Sequence, residues 1–183
     1  MAVANTYTLE ESYGARIVVR GAGFLLNNEM GDFNPQPGVT NRTGQIGTPA
    51  NIIAPGKRML SSMCPTIVAR DGRAVIVTGS PGGRTIINTV FHILINKLEY
   101  DLPTTDAVNA LRTHPQWFPD RIQLEGARIE QHPALAASLE KLGHNVQVRP
   151  GTQGDAHSIF IDAKTGEGRG VADQRRDGWS ATQ

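Results

Sequence analysis

Between Val75 and Leu98 a strand, a glycine turn and a helix follow one another with no linker, which fixes the direction of the chain on both sides of the turn. Val75-Ile76-Val77 form an apolar run, and Thr78-Gly79-Ser80-Pro81-Gly82-Gly83-Arg84 break it. From Gly83 onward apolar residues recur at spacings of three and four, as Ile86, Val90 and Ile93 and as Ile87, Val90, Phe91, Leu94 and Leu98. The spacing predicts an amphipathic helix over residues 83–98 that buries one broad face. Its first N–H groups are free, and the positive end of the helix dipole points at whatever sits in front of the glycines. Such a place holds anions. The phosphate-loop pattern is absent, because no Lys follows Gly83, so two readings stay open here: an oxyanion hole of adjacent backbone donors, or a plain tight turn.

The flanking sequence extends the pattern. Residues 66–69 and 74–77 are apolar runs separated by Arg70-Asp71-Gly72-Arg73, and Asp-Gly between such runs signals a hairpin. Residues 2–9 mix Val, Thr and Tyr and read as a strand, and 16–19 with 23–26 read as a hairpin. Residues 34–55 hold Gly, Pro, Asn and Thr with almost no apolar periodicity, which predicts a long surface loop. Further on, residues 104–111 read as a helix capped by Thr104 or Thr105. Residues 133–142 read as another helix, with Leu135, Leu139 and Leu142 on one side and Gly143 as its stop. Short strands are expected at 121–124, 145–148, His157–Ile161 and 168–172. Residues 1–173 are expected to form one domain and the polar tail 174–183 to fray. This order gives an α+β fold with adjacent antiparallel strands and disfavours a Rossmann domain.

Composition narrows the classes. The chain has 183 residues, enough for one well-buried domain, since ~150 residues already bury roughly 70% of their unfolded surface. Lys plus Arg number 18 against 17 Asp plus Glu, and the charges are scattered, so no nucleic-acid partner is expected. No stretch approaches the ~18 apolar residues of a spanning helix, so no membrane is expected either. The single cysteine, Cys64, excludes an intrachain disulfide and a Cys-based zinc site, and between Met63 and Pro65 it reads as a buried, inert thiol. His92, His114, His132, His144 and His157 show no metal-ligand spacing, so no metal or other cofactor is expected. The first five residues lack the features of a signal peptide, and the compartment stays open. Opening directly into a strand, the chain reads as a piece of a longer one.

Two further constellations carry chemistry. Asn27-Asn28-Glu29-Met30-Gly31-Asp32-Phe33 places two carboxylates three residues apart, which is either a site for a cation such as an ammonium group or a solvated acidic turn. Ser61 and Ser62 set adjacent hydroxyls just before the strand at 66–69, where paired hydroxyls can hold a carboxylate, although Ser-Ser alone says little.

Taken together, Thr6-Tyr7-Thr8-Leu9-Glu10, Gly23-Phe24-Leu25-Leu26-Asn27-Asn28-Glu29-Met30-Gly31-Asp32-Phe33, Gly56-Lys57-Arg58-Met59-Leu60-Ser61-Ser62-Met63-Cys64-Pro65-Thr66 and Thr78-Gly79-Ser80-Pro81-Gly82-Gly83, with a weaker tail at Gly170-Val171-Ala172-Asp173, resemble the small subunit of γ-glutamyltransferases (glutathione hydrolases). These are N-terminal-nucleophile hydrolases. The resemblance implies half of an αββα sandwich with an antiparallel sheet, and a γ-glutamyl small molecule as substrate. It implies Gly82 and Gly83 as the oxyanion hole, Glu29 and Asp32 as binders of the α-ammonium with Glu10 assisting, Ser61 and Ser62 as the α-carboxylate clamp, and Thr8 as the hydroxyl beside the nucleophile. It places 34–56 where the family carries a lid loop, here without the tyrosine some bacterial members have.

In the family a cut exposes a threonine whose hydroxyl attacks while its own α-amine serves as base, on a strand just before the one starting here. This sequence holds no such residue. The expected partner is therefore a large-subunit-like polypeptide or a second copy of the chain, and the alternative is a truncated, noncatalytic relative that binds or assembles. A β-lactam acylase of the same wider fold needs no ammonium site, so Glu29 and Asp32 argue against it. Alone, the chain is expected to be inactive.

Overall fold

Asp71 and Gly72 both take positive φ, 51° and 74°, as a two-residue type I′ turn requires. They join β1 (Thr66–Arg70) to β2 (Arg73–Gly79) in the antiparallel hairpin that Asp-Gly predicts. The register shifts between Val68 and Ala69, where Val75 is left over as a bulge. The computed structural model describes residues 1–34, 36–40 and 47–182, so part of the loop expected at 34–55 lies outside the described residues. The chain divides into two units, one of residues 1–6, 63–115 and 120–183, the other of residues 7–62 and 116–119.

The first unit carries both sheets. β2 pairs antiparallel with β6 (His157–Ile161), and β6 with β7 (Gly168–Val171), giving the order β1-β2-β6-β7. A second sheet holds β3 (Thr113–Gln116), β4 (Arg121–Glu125) and β5 (Val146–Arg149). The four-stranded sheet has the expected antiparallel pairing throughout, whereas in the second sheet β4 and β5 run parallel. Parallel neighbours need a crossover of a dozen residues or more, and residues 126–145 supply it with α3 (Leu135–Lys141), which packs on β5.

Helix α1 (Ile86–Leu98) follows a 3-10 turn at Gly83–Thr85 and buries Ile86, Thr89, Val90 and Ile93. The broad face expected from the sequence splits in two, since Ile87, Phe91 and Leu98 form a second stripe that stays 54%, 55% and 45% exposed. From the buried stripe Ile93 joins Ile76, Val108, Ala156, Phe160 and Val171 in one core cluster, with Val68, Val75 and Leu94 packed against it. Ile93 is fully buried, worth about 1.5–3 kcal/mol relative to leaving it in water. Helix α2 spans Thr104–Asn109, and its N-cap is Pro103 rather than Thr104 or Thr105. The Thr104 hydroxyl is buried with no hydrogen-bond partner among the described residues.

Two more expectations change. Residues 1–6 alternate between exposed and half-buried, as an extended chain does, yet the strand expected at 2–9 has no ladder among the described residues. Alternation reports extended shape, whereas a strand also needs a neighbour to bond. At the other end the tail does not fray. Arg175 is enclosed among Glu125 and Asp173, Gly170 donates to the Ala181 carbonyl at 3.2 Å, and Arg169 forms an antiparallel bridge with Thr182. A Cβ at Gly178 would overlap the His157 ring, which would have to move aside.

In the second unit, Val18 and Leu25 form an isolated antiparallel bridge within the expected hairpin, supported by bonds from the Val19 N–H to Phe24 (2.9 Å) and from the Leu26 N–H to Ile17 (3.0 Å).

Candidate functional site

Asn27 and Asn28 shape the acidic segment of the second unit. The Asn27 side chain accepts the Glu29 N–H at 3.1 Å and starts a 3-10 turn over Glu29–Asp32, the local bonding that makes Asn a turn residue. Asn28 donates its N–H to the Leu9 carbonyl (3.1 Å) and accepts the Glu11 N–H on its side chain (3.1 Å). These two bonds bracket Glu10, which sits at φ 71° and lays its carboxylate against Gly31. Three carboxyls thereby meet: Glu10, Glu29 and Asp32.

Their electrostatics are unfavourable to charge. Glu29 is 7% exposed, and its Oε1 has no hydrogen-bond partner among the described residues. Burial raises the Glu29 carboxyl above its ordinary value, and the facing Asp32 and then Glu10 raise it further. Glu10 is raised by burial, then by Asp32 and Glu11, against a lowering by the Gly31 N–H. Among the described residues no ion pair compensates these carboxyls, and no group of three acidic, His or Cys side chains is arranged to hold a metal ion.

Asn51, which sequence reasoning did not single out, ties this cluster to the serines. Buried at 7% exposure, it donates to the Asp32 carbonyl (2.6 Å) and accepts the Leu60 N–H (3.0 Å), so the chain entering Ser61 and Ser62 is fastened to the acidic turn. Ser61 is exposed and Ser62 half-buried. Thr8 is half-buried two residues before Glu10. The only signal for Asn51 was its polar side chain ahead of Ile52 and Ile53 in a loop otherwise rich in Gly and Pro.

Gly82 and Gly83 belong to the first unit. They take φ 140° and 54°, are exposed, and lead into α1 through Gly83–Thr85. Among the described residues neither N–H reaches a backbone acceptor. A cavity of about 160 Å³ opens beside Gly82, lined by Glu125, Arg149, Gln153, Gly154 and Arg176 among others. A larger one, about 520 Å³ and lined by Arg70, Lys97, Asp101, Phe160 and Arg169 among others, contains none of the expected site residues.

Behind the glycine turn lies a set of buried charges that the sequence did not reveal. Arg112 pairs with Asp173 at 2.7 Å, and Arg175 pairs with both Asp173 (3.1 Å) and Glu125 (2.5 Å), all with side chains at most 1% exposed. Burial alone would raise the two carboxyls. The guanidiniums and the backbone N–H groups of Gln153, Arg112 and Ala156 outweigh it and hold Glu125 and Asp173 below the ordinary carboxylate range.

Comparison with known proteins sets the sequence and fold of this chain beside gamma-glutamyltranspeptidases. The sequence model described as gamma-glutamyltranspeptidase matches residues 1–182. The glutathione hydrolase proenzyme of Pseudomonas aeruginosa is 44% identical over 176 residues, 93% of this chain and 32% of that protein. That of Escherichia coli is 44% identical over 174 residues, 95% of this chain and 29% of that protein. The crystal structure of a mutant of Helicobacter pylori gamma-glutamyltranspeptidase superposes with a TM-score of 0.85 at 41% identity, covering 95% of this chain and 93% of that one. The chain spans about a third of the length of the curated relatives it matches.

Proposed function

The chain belongs to the gamma-glutamyltranspeptidase family of N-terminal-nucleophile hydrolases, and from that premise we propose that it is the small-subunit part of an enzyme that transfers or hydrolyses the γ-glutamyl group of glutathione-like amides. The observation that supports this reading is the trio of Glu10, Glu29 and Asp32, which has no compensating ion pair among the described residues and in which one buried carboxylate oxygen of Glu29 has no hydrogen-bond partner among them. An α-ammonium brings three N–H donors and one positive charge, which is what such a trio lacks.

In this reading Ser61 and Ser62 take the α-carboxylate, fastened to the acidic turn through Asn51. The γ-carbonyl is then attacked by a threonine hydroxyl on a preceding segment, with Thr8 beside it. The carbonyl oxygen gains negative charge as the tetrahedral intermediate forms, and the free N–H groups of Gly82 and Gly83 stabilise it. Collapse expels the amine and leaves an acyl-threonine, which water or a second amine resolves. No metal or other cofactor enters this scheme. The large-subunit-like polypeptide supplies the remaining substrate contacts.

The test is turnover of a chromogenic γ-glutamyl anilide by the complete processed protein that carries this chain, beside its Asp32→Ala variant. Turnover that Asp32→Ala removes supports the assignment. A processed protein with an N-terminal threonine and no turnover would leave the noncatalytic relative as the better reading.

A further inference from the structure

We propose that Ser80 and Thr85 are positioning residues that aim the two N–H groups of the Gly82–Gly83 turn. This rests on reading that turn as the oxyanion hole. In a trans peptide the C=O and the following N–H point in opposite directions, so whatever fixes the carbonyl also aims the donor. The Ser80 hydroxyl donates to the Pro81 carbonyl at 2.7 Å, and the Pro81 carbonyl shares its peptide plane with the Gly82 N–H. The Thr85 hydroxyl donates to the Gly82 carbonyl at 2.9 Å, beside the Thr85 N–H at 3.1 Å, and the Gly82 carbonyl shares its plane with the Gly83 N–H. Each donor therefore has one side-chain hydroxyl behind it.

Glycine at 82 and 83 makes these anchors necessary. Both residues sit at positive φ, where glycine moves among conformations more readily than any other residue, and a Gly-Gly peptide left to itself would rotate its N–H groups off any fixed point. Preorganised donors are the ones that accelerate acyl transfer, because they cost no reorganisation as charge develops. Ser80 is itself held rigidly. It is 3% exposed, accepts the Asp155 N–H at 3.0 Å, and faces Gly154, where an added Cβ would lie 2.7 Å from its oxygen. The loop behind it is bonded to the buried charges, through Gln153 N–H to Glu125 (2.7 Å) and Ala156 N–H to Asp173 (2.7 Å). Thr85 lies at the more accessible end, half-buried, and its hydroxyl and N–H both bond within the turn.

The experiment uses the complete processed enzyme, titrated with an irreversible glutamine analogue so that kcat is expressed per competent site. Ser80→Ala and Thr85→Val each remove one hydroxyl. Each is expected to lower kcat about tenfold with KM for the γ-glutamyl anilide changed less than twofold, part of the ~10²–10³ lost when a donor is removed outright. Thr85→Ser returns the hydroxyl and should recover most of the loss, which a purely structural effect would not follow. Ser80 is buried, so if Ser80→Ala fails to fold the Thr85 pair decides. Unchanged kcat per site in Thr85→Val overturns the proposal. Gly83→Ala separates the two levels: a lowered kcat there with Thr85→Val unaffected overturns the positioning role alone, whereas full kcat in Gly83→Ala overturns the oxyanion reading as well.

Discussion

Gly31 lies directly against Glu10: its N–H faces the Glu10 carboxylate, and a Cβ on Gly31 would overlap both carboxylate oxygens. The glycine is thus a requirement of the neighbouring side chain rather than of its own backbone. Gly31→Ala is expected to push Glu10 out of the cluster while leaving the Glu29–Asp32 turn in place. Because Glu10 is largely exposed and its contribution is screened, the expected effect is roughly a fivefold rise in KM for a γ-glutamyl donor with kcat little changed. Steady-state kinetics of the complete enzyme measure it, and an unchanged KM would remove Glu10 from the site.

Asp32 should matter more. It is half-buried and faces Glu29, and a charged hydrogen bond contributes ~1.5–3 kcal/mol. Asp32→Ala is expected to weaken donor binding by about one to two orders of magnitude, and Asp32→Asn by less. The pH dependence has a definite sign. The folded carboxyls of Glu29 and Glu10 titrate above their ordinary 4.5, so the empty cluster is untroubled below 4.5 and is increasingly destabilised as pH rises through the raised values. A bound cation reverses this, so ammonium affinity should rise over the same window and then level off. Calorimetric titration across pH 4 to 8 with a nonreactive γ-glutamyl analogue reads the slope, and an affinity that falls with pH would contradict the site.

The buried charges of the first unit make a separate claim on stability. Arg175→Ala would leave Glu125 and Asp173 underpaired in the interior, a change that costs ~3–5 kcal/mol and lowers Tm by roughly 10 °C for a chain of this size. Glu125 and Asp173 are held below their ordinary 4.5 and 3.8, so their contribution is present above those values and lost as pH falls below them toward the folded ones. His92 acts higher up. Burial, followed by Arg112 and His114, lowers it from 6.5, so its contribution is present above 6.5 and fades as pH falls from there. Acid unfolding should show a shallow decline beginning near pH 6.5 that His92→Gln removes, and a steeper one below pH 4.5 that Glu125→Gln reduces.

What the sequence disclosed follows from the range of the forces involved. Asp71-Gly72, the helix after Gly83 and the stop at Gly143 are local, and the structure has each of them where the residues put it. The acidic turn was legible because Asn27, Asn28, Glu29 and Asp32 are close in the chain. Arg112, Glu125, Asp173 and Arg175 lie up to 63 residues apart, and nothing in the spacing of four charged residues announces that they share one buried cluster. The parallel pairing of β4 and β5 escaped for a similar reason, since helix α3 between them is short and only partly buried.

The final expectation concerns residues 1–183 on their own. An N-terminal-nucleophile reaction needs a hydroxyl and a free α-amine on one residue. Met1 and Ala2 carry no hydroxyl, and the nitrogens of Thr6 and Thr8 are amides without basicity. The purified chain should therefore show no turnover of a γ-glutamyl anilide. Its surface also argues against a clean monomer. The stripe of Ile87, Phe91 and Leu98 is open on α1, and Ile67 and Ile159, 46% and 44% exposed, flank Val77 in a cross-strand row on the four-stranded sheet. Exposed apolar side chains in such numbers favour association. Size-exclusion chromatography with light scattering should find an oligomer, or solubility only with a large-subunit-like partner, and Phe91→Glu together with Ile159→Thr should shift it toward monomer. A monodisperse monomer with turnover that tracks the protein through purification, and that Asp32→Ala abolishes, would require a nucleophile within these residues and overturn the small-subunit reading.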